Sequence, residues 1–311
     1  MPQKIYSKRV LLAKAESTYG TDPTPTGSAN AMLVKNMTFT PMEAELIERG
    51  TIRPYIGGYE QYVANNHAMI EFEVEMMGSG AAGTAPAYAP LLLACGFAET
   101  VTASTKVEYT PVSSSFGSCT LYFNIDGVLH KITGARGNLE MDISARQIPV
   151  FKFRFVGIYN APTDTSAPTP VYTGFMQPLV ANNTNTTGFS FFGVSSLVLE
   201  SMKINMNNEN NFRALIGSES VIITNRKANG ELVFEAPTLA TLDVFATAVG
   251  TTNGALSITH GTVSGYKVKI DATNVDVGNP TYSDGNGVVM AQVPIFLPPS
   301  SGNDEIKITI L

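Results

Sequence analysis

The chain has 311 residues and a net charge of −6, from 20 basic and 26 acidic side chains. Hydrophobic residues make up 44% of it and charged residues only 15%, so the composition excludes a disordered chain and predicts about two domains of ordinary size. The acidic balance also argues against a broad, tight grip on nucleic acid, which needs basic side chains facing the phosphates.

The two cysteines and the apolar runs indicate a cellular location. Cys95 and Cys119 lie in apolar stretches, and two thiols are too few for a disulfide framework or a four-ligand zinc site. No window approaches the ~18 uninterrupted apolar residues of a spanning helix, and the amino terminus has no apolar run of signal-peptide length. We expect a soluble protein made in the cytoplasm, without membrane insertion.

Through most of the chain, apolar and polar residues alternate at period two between clusters of Gly, Asn, Asp, Ser and Pro. This pattern is typical of antiparallel strands and predicts a mainly β fold. In the first half it predicts strands at 33–39, 70–76, 121–125 and 150–156, with a short helix over 87–97. In the second half it predicts strands at 197–206, 231–236, 266–270 and 306–310, with helices over 208–216 and 238–249.

Residues 160–185 are rich in Pro, Thr and Asn, so neither a strand nor a helix runs far there. A boundary at this linker gives two halves, 1–160 and 161–311, that repeat the order strand, polar segment, strand, helix. Met37 and Phe39 align with Met202 and Ile204 at a spacing of 165, and Phe72 aligns with Phe234 at 162. We therefore predict an internal duplication.

One stretch, 78–83, matches the glycine pattern of a dinucleotide site. Such a site needs a helix beginning within the glycines, and Pro86 and Pro90 prevent one, so we predict a loop. Asp276, Asp284 and Asn286 do not have the spacing of a calcium loop and indicate a turn. The histidines, at 67, 130 and 260, are too scattered to form a metal site. We therefore assign no cofactor, no metal and no enzymatic activity.

Two long polar segments, 41–66 and 207–230, join strands that would otherwise pair. Loops of this length are usually functional or disordered. The first segment carries aromatic and arginine side chains of the kind that protein interfaces enrich, namely Arg49, Arg53, Tyr55, Tyr59 and Tyr62. We interpret it as an interaction arm, mobile in the free subunit; the alternative is an ordinary mobile loop.

Strand 70–76 alternates strictly between apolar and acidic residues. Its apolar positions predict a core face, and Glu71, Glu73 and Glu75 fall on the opposite, solvated face. Glu231 and Glu235 repeat the arrangement around Leu232 and Phe234. Like charges on neighbouring strands repel each other. These carboxylates therefore either form a solvated outer face or serve a function that requires a concentration of negative charge.

Three segments resemble the major tail tube proteins of long flexible-tailed bacteriophages and prophages. They are LAKAESTYGTD at 12–22, APLLLACGF at 89–97 and DGVLHKITGARGN at 126–138. The resemblance covers most of the chain and brings no active site with it. It is weaker in the second half, so the alternative to two tube domains is a single tube domain with a decorating second domain. It implies β-sandwich tube domains flanked by a helix, in subunits that form six-fold rings stacked into a conduit for the genome.

For this chain the resemblance implies two tandem tail-tube-like β-sandwich or barrel domains, each with a short flanking helix: 1–160 with an amino-terminal arm, and 161–311 with the linker. Three such chains would close a trimeric ring of pseudo-six-fold symmetry in the virion tail. The tyrosine and arginine arm would then stack rings, and the five glutamates would face the channel and repel passing DNA.

The partners implied are other copies of the chain and the tape-measure, tail terminator and distal tail or baseplate proteins, with DNA present only transiently. An alternative function is a two-domain β-sandwich binding module, an adhesin or carbohydrate-binding protein, on a virion or cell surface.

Overall fold

The computed structural model describes residues 3–311, which form twenty strands and three short helices. The mainly β fold is therefore confirmed. The first half contains β1 (Arg9–Ala15), α1 (Gly27–Asn30), β2 (Ala31–Met32), β3 (Lys35–Glu48), β4 (Gln61–Glu75), α2 (Ala89–Ala94), β5 (Phe97–Thr102), β6 (Lys106–Pro111), β7 (Cys119–Ile125), β8 (Val128–Ser144), β9 (Val150–Tyr159) and β10 (Thr163–Asp164).

The second half contains β11 (Thr186–Phe191), β12 (Leu199–Asn205), β13 (Asn208–Leu215), β14 (Ser218–Arg226), β15 (Asn229–Glu235), α3 (Val244–Val249), β16 (Gly254–His260), β17 (Val268–Val277), β18 (Thr281–Gly285), β19 (Val288–Phe296) and β20 (Lys307–Ile310). The intervening residues 165–185 contain no strand or helix.

Eight antiparallel strands form one continuous sheet across both halves, which we call the long sheet. Its order is β3–β4–β9–β8–β12–β15–β19–β18. The halves meet where β8 pairs with β12, with Asp142 opposite Lys203. The outer part of β8 pairs instead with β7 and β10, and β7 carries β1 and β2 on its far side.

A second sheet also crosses the boundary, in the order β5–β6–β20–β17–β16–β11. The carboxy-terminal strand β20 places Ile308 opposite Tyr109 of the first half and opposite Ile270 of the second. The buried apolar side chains of both sheets belong to one hydrophobic cluster. Burial of apolar surface therefore couples the halves, at roughly 1.5–3 kcal/mol for each fully buried large side chain.

The helices are shorter than the sequence predicts, and one predicted helix is wrong. α2 has a proline in its first turn and ends before Gly96, whose φ of 81° is accessible to glycine at little cost. α3 begins only after Asp243, whose carboxylate accepts hydrogen bonds from the Phe245 and Ala246 amides. Residues 208–216, predicted as a helix, form β13, because the Asn-rich run is a poor helix former and pairs with β14.

The stretch at 78–83 is an irregular loop, as predicted. It lies against residues 265 and 266 of the second half, with the Gly80 amide donating to the Gly265 carbonyl over 2.9 Å. A Cβ at Gly78 would stand 2.3 Å from that same carbonyl oxygen. Glycine is needed here for close approach of two backbones.

The predicted turn near Asp284 is also confirmed. Asn286 and Gly287 join β18 to β19 with φ values of 57° and 88°, and Asp284 accepts a hydrogen bond from the Gly287 amide. Two consecutive residues of positive φ are typical of a tight two-residue hairpin turn.

The two long polar segments are hairpins and not loops, which corrects the sequence prediction. In the first, β3 and β4 continue past the long sheet and leave only residues 49–60 irregular; we call residues 41–66 the first arm. In the second, β13 and β14 form a separate two-stranded ribbon, and we call residues 208–226 the second arm. Each arm is inserted between the first two long-sheet strands of its half.

Candidate assembly interface

The first arm exposes an unusual amount of apolar surface. Large apolar side chains point into solvent along both of its strands and at its tip: Met42, Leu46, Ile47, Ile52, Tyr55, Ile56, Tyr62 and Val63. Ile52 and Ile56 are as exposed as in an extended chain. Contiguous apolar patches of this kind usually mark contacts with other proteins.

The structure brings together three of the five predicted arm residues. The Arg53 guanidinium lies over the Tyr59 ring at 4.0 Å and over the Tyr55 ring at 5.3 Å, and its Nη2 donates to the Gly58 carbonyl. Tyr62 lies lower on the arm, where its hydroxyl is 3.2 Å from the Glu60 carboxylate. The Arg49 amide donates to the Glu60 carbonyl, at the base of the tip.

The second arm, in contrast, is docked on the first half of its own chain. Val221 of β14 is fully buried, and both of its backbone groups bind side chains of the first half. Its amide donates to Tyr19 Oη over 2.6 Å, and its carbonyl accepts from Arg136 Nη1 over 2.8 Å. Arg136 also stacks on the Tyr19 ring at 4.7 Å, which completes a clamp on one residue of the arm.

Burial affects the ionisation of both clamp residues. It raises the pKa of the Tyr19 hydroxyl and lowers that of the Arg136 guanidinium. Arg136 donates two further hydrogen bonds, to the carbonyls of Phe116 and Gly117. Such charge-assisted bonds to backbone carbonyls are stronger than neutral ones.

The base of the second arm is fixed by two more side chains. Asn208 is buried and donates through Nδ2 to the carbonyls of Cys95 and Gly137. Arg226 forms a nearly buried ion pair with Glu305 at 2.7 Å and donates to the Val112 carbonyl. The second arm therefore ties the ends of α2 and β6 and the middle of β8 to the carboxy-terminal loop.

All five predicted glutamates lie on one face of the long sheet. Residue pairing follows the row Glu73, Lys152, Glu140, Asn205 across four strands, and Asn205 pairs with Asn229 of β15. Because side chains alternate along a strand, Glu71 and Glu75 share this face in the first half, as do Glu231 and Glu235 in the second. We call it the polar face.

The opposite face of the same strands is core, as predicted. Every second residue of strand 70–76 is at most 2% exposed, and Leu232 and Phe234 are fully buried. The alternation between apolar and acidic residues therefore separates core from solvent in both halves.

The polar face is not a bare row of like charges. Arg154 pairs with Glu71 at 3.0 Å, and Lys152 bridges Glu140 and Asp142 at 2.9 and 3.0 Å. The hydrogen bonds to these carboxylates outweigh partial burial and raise the pKa of Lys152. Lys152 and Arg154 alternate with apolar residues in strand 150–156, but the sequence pattern alone does not place these bases on the same face as the glutamates.

The polar face keeps an acidic excess. Seven carboxylates stand against four basic groups, which leaves three more negative than positive charges. The carboxylates are Glu71, Glu73, Glu75, Glu140, Asp142, Glu231 and Glu235, and the basic groups are Lys35, Lys152, Arg154 and Lys203.

A cleft of about 1000 Å³ separates the polar face from the second arm. Asparagines line much of it, and at its far side the Phe212 ring of the arm stacks on His67 of β4 at 5.0 Å. The second arm therefore crosses one end of the polar face and reaches as far as β4.

The remaining titratable groups are structural. Burial raises the pKa of both cysteine thiols, Cys95 and Cys119, well above the usual range. Among residues 3–311, no group of three or more His, Cys, Asp or Glu side chains could hold a metal ion. None of the helices in this part of the chain is long and apolar enough to cross a membrane.

Open sheet edges, an exposed apolar arm and an acidic sheet face define a β protein whose surfaces are suited to contacts with other protein subunits. Residues 7–295 match the family described as phage tail tube protein. The match spans nearly the whole chain, and the chain belongs to this family of structural tail tube proteins. No curated protein matches the chain significantly.

Proposed function

We propose that the chain assembles into rings that stack to form a phage tail tube, the conduit through which the genome enters the host. Three chains form each ring, because each chain supplies two equivalent sets of long-sheet strands. Family membership supports the tail tube, and the strand arrangement supports the ring.

The two halves of the long sheet have the same strand order. Each half contributes four strands to the long sheet. If these four are numbered in chain order, their order in the sheet is 1–2–4–3 in both halves, giving β3–β4–β9–β8 and β12–β15–β19–β18. Phe39 faces Ile70, and Met202 faces Leu232. These pairs are 163 and 162 residues apart, a more even spacing than sequence alignment alone gives, and they support the duplication.

The junction inside the chain provides a template for the junction between chains. Within the chain, β8 lies at the edge of the first set of four strands and pairs with β12, at the edge of the second set. Among residues 3–311, β18 and β3 each pair with one strand only. If β18 of one chain pairs with β3 of the next, a ring closes and no sheet edge remains exposed.

The polar face lines the channel in this arrangement. Its acidic excess repels the phosphates of DNA, which carries one charge per ~1.7 Å, so the genome passes without sticking. The interleaved Lys152 and Arg154 keep the carboxylates from repelling one another across strands. Arg49, Arg53, Tyr55, Tyr59 and Tyr62 of the first arm contact the next ring in the stack.

Negative-stain microscopy of concentrated protein tests the proposal. Rings or filaments are expected; particles that remain single two-domain monomers at every concentration would contradict it.

Edge pairing is tested with Ser283→Cys and Thr40→Cys variants, mixed and treated with a short bis-maleimide. A covalent dimer is expected, and a mixture of Ser283→Cys with Ser113→Cys, away from both edges, is the control.

A further inference from the structure

The two arms are equivalent insertions, but within residues 3–311 only the second arm is docked on a surface of its own chain. β13 contains eight residues, as does the part of β3 from Pro41 to Glu48. Each arm strand therefore reaches about 26 Å, at ~3.3 Å per residue. Two arms of the same reach, inserted at the same point of a repeated strand order, would be expected to dock on equivalent surfaces.

The surface that receives the second arm lies at the end of α2. Ile223 packs beside Gly96, Asn208 binds the Cys95 carbonyl, and Ala94, the last residue of α2, is fully buried. The surface is complete because the second half supplies the arm that covers it.

The equivalent surface of the second half, at the end of α3, is bare. Val249, the last residue of α3, is 88% exposed, where its counterpart Ala94 is fully buried. Phe245, one turn earlier in α3, is 37% exposed. A six-residue helix that exposes both this phenylalanine and its last valine is an incomplete surface.

We infer that the first arm of one chain docks on the α3 end of the neighbouring chain in the ring. This inference rests on the proposed ring, in which β3 lies beside the β18 of the neighbour. There the first arm would cross the neighbour's second half as the second arm crosses the first half of its own chain.

The chemistry of the two surfaces fits. Val63 is about half exposed on the returning strand of the first arm, and the returning strand of the second arm carries the docked Val221 and Ile223. Contact with Val249 and Phe245 removes apolar surface of both chains from water, at ~25 cal/mol per Å². The occupant is a second copy of this chain, and the tip at 49–60 extends beyond the contact.

Cysteine cross-linking tests the contact. Val63→Cys and Val249→Cys are prepared as separate single variants, mixed, assembled and treated with a short bis-maleimide. Both positions are exposed, so the variants should fold, and the native thiols are buried. A covalent dimer is expected in rings; Ile216→Cys, at the exposed tip of the second arm, should give none with Val249→Cys.

A matched pair of substitutions gives a second readout. Val249→Asp should raise the protein concentration needed for ring formation by at least about tenfold, because an unpaired carboxylate is costly to bury. Val263→Asp, at an exposed valine in a loop away from α3, should leave it unchanged. Rings that form without the cross-link and tolerate Val249→Asp would overturn the arm contact alone, whereas failure of the unmodified protein to form rings would overturn the ring as well.

Discussion

The first and second arms have the same architecture and opposite surroundings. The second arm buries Val221 beneath Tyr19 and Arg136 of its own chain, whereas the first arm presents Leu46, Tyr62 and Val63 to solvent. A hairpin that exposes its apolar side chains in one half and docks two of them, Val221 and Ile223, on its own chain in the other indicates a surface that is complete only when another copy is present.

The ends of α2 and α3, on which the arms dock or are proposed to dock, also differ in exposure. The end of α2 is covered and the end of α3 is not, as the buried Ala94 and the exposed Val249 show. A free chain therefore leaves one arm and the end of one helix exposed, and in the proposed ring they cover each other. The comparison predicts that changes in the second arm affect folding and that changes in the first arm affect assembly.

The largest expected effect comes from removing the tip of the first arm. Replacing residues 49–62 with Asn-Gly should leave a folded subunit that no longer forms tubes, because the deleted segment makes few contacts with the rest of its own chain. Circular dichroism and thermal melting check the fold, and electron microscopy checks the tubes. Full-length tubes from the shortened protein would show that the tip has no role in stacking.

Shortening the second arm should have the opposite effect. Replacing residues 210–224 with Asn-Gly removes Val221 and exposes the end of α2. The melting temperature of the free subunit should therefore fall markedly. An unchanged melting temperature would break the comparison between the arms.

Loss of the clamp should be smaller but still large. Arg136→Ala leaves three backbone carbonyls without their donor, and each unsatisfied buried group costs about 1–3 kcal/mol. We expect a loss of about 3 kcal/mol in the free energy of unfolding, measured by urea denaturation. Arg136→Lys should be intermediate, because lysine lacks the guanidinium fork, and Arg213→Ala, on the exposed arm surface, should be near neutral.

Charge reversal on the polar face tests the channel in both halves. Changing Glu71, Glu73, Glu75, Glu231 and Glu235 to lysine should spare assembly, since these residues lie on β4 and β15, inner strands of the long sheet. It should slow genome ejection, because the lysines attract the phosphates of DNA. Phage carrying the variant protein are compared in an ejection assay at several salt concentrations. Unchanged infectivity, or a tube with these residues on its outer wall, would count against the channel assignment.

The smallest expected effect is a pH dependence in the second half. His260 is fully buried, with Nδ1 2.9 Å from Thr186 Oγ1, and burial lowers its pKa below the usual value of 6.5. A lowered pKa means that the unfolded chain takes up the proton first, so stability should be lost as pH falls below about 6.5, by at most ~1.4 kcal/mol per pH unit. His260→Gln should flatten this dependence in urea denaturation curves, and an unchanged slope would exclude His260 as its source.

Local sequence pattern predicted eight of the twenty strands and the two faces of β4, because both follow from period-two alternation. It failed at the arms. Pro41 and the run of asparagines at 207–211 interrupt the alternation, and a hairpin that projects from a sheet lacks the one-sided burial that makes a strand recognisable.

Local sequence patterns could not predict the clamp of Tyr19 and Arg136 on Val221 or the sheets shared by the two halves. Tyr19 and Val221 are 202 residues apart, and nothing near either residue signals the other. Tyr19 and Arg136 do fall within segments 12–22 and 126–138, whose resemblance to tail tube proteins was visible, so that likeness was the available signal. The channel-facing role of the glutamates and the domain boundary at 160 stay predictions.

The number of chains in one ring tests the central claim most directly. Native mass spectrometry of isolated rings, or a reconstruction of the assembled tube, should give three chains of 33.2 kDa, with the first arm of each chain on the α3 end of its neighbour. A ring of six chains, or a three-chain ring in which β18 and β3 of neighbouring chains do not pair, would contradict the account.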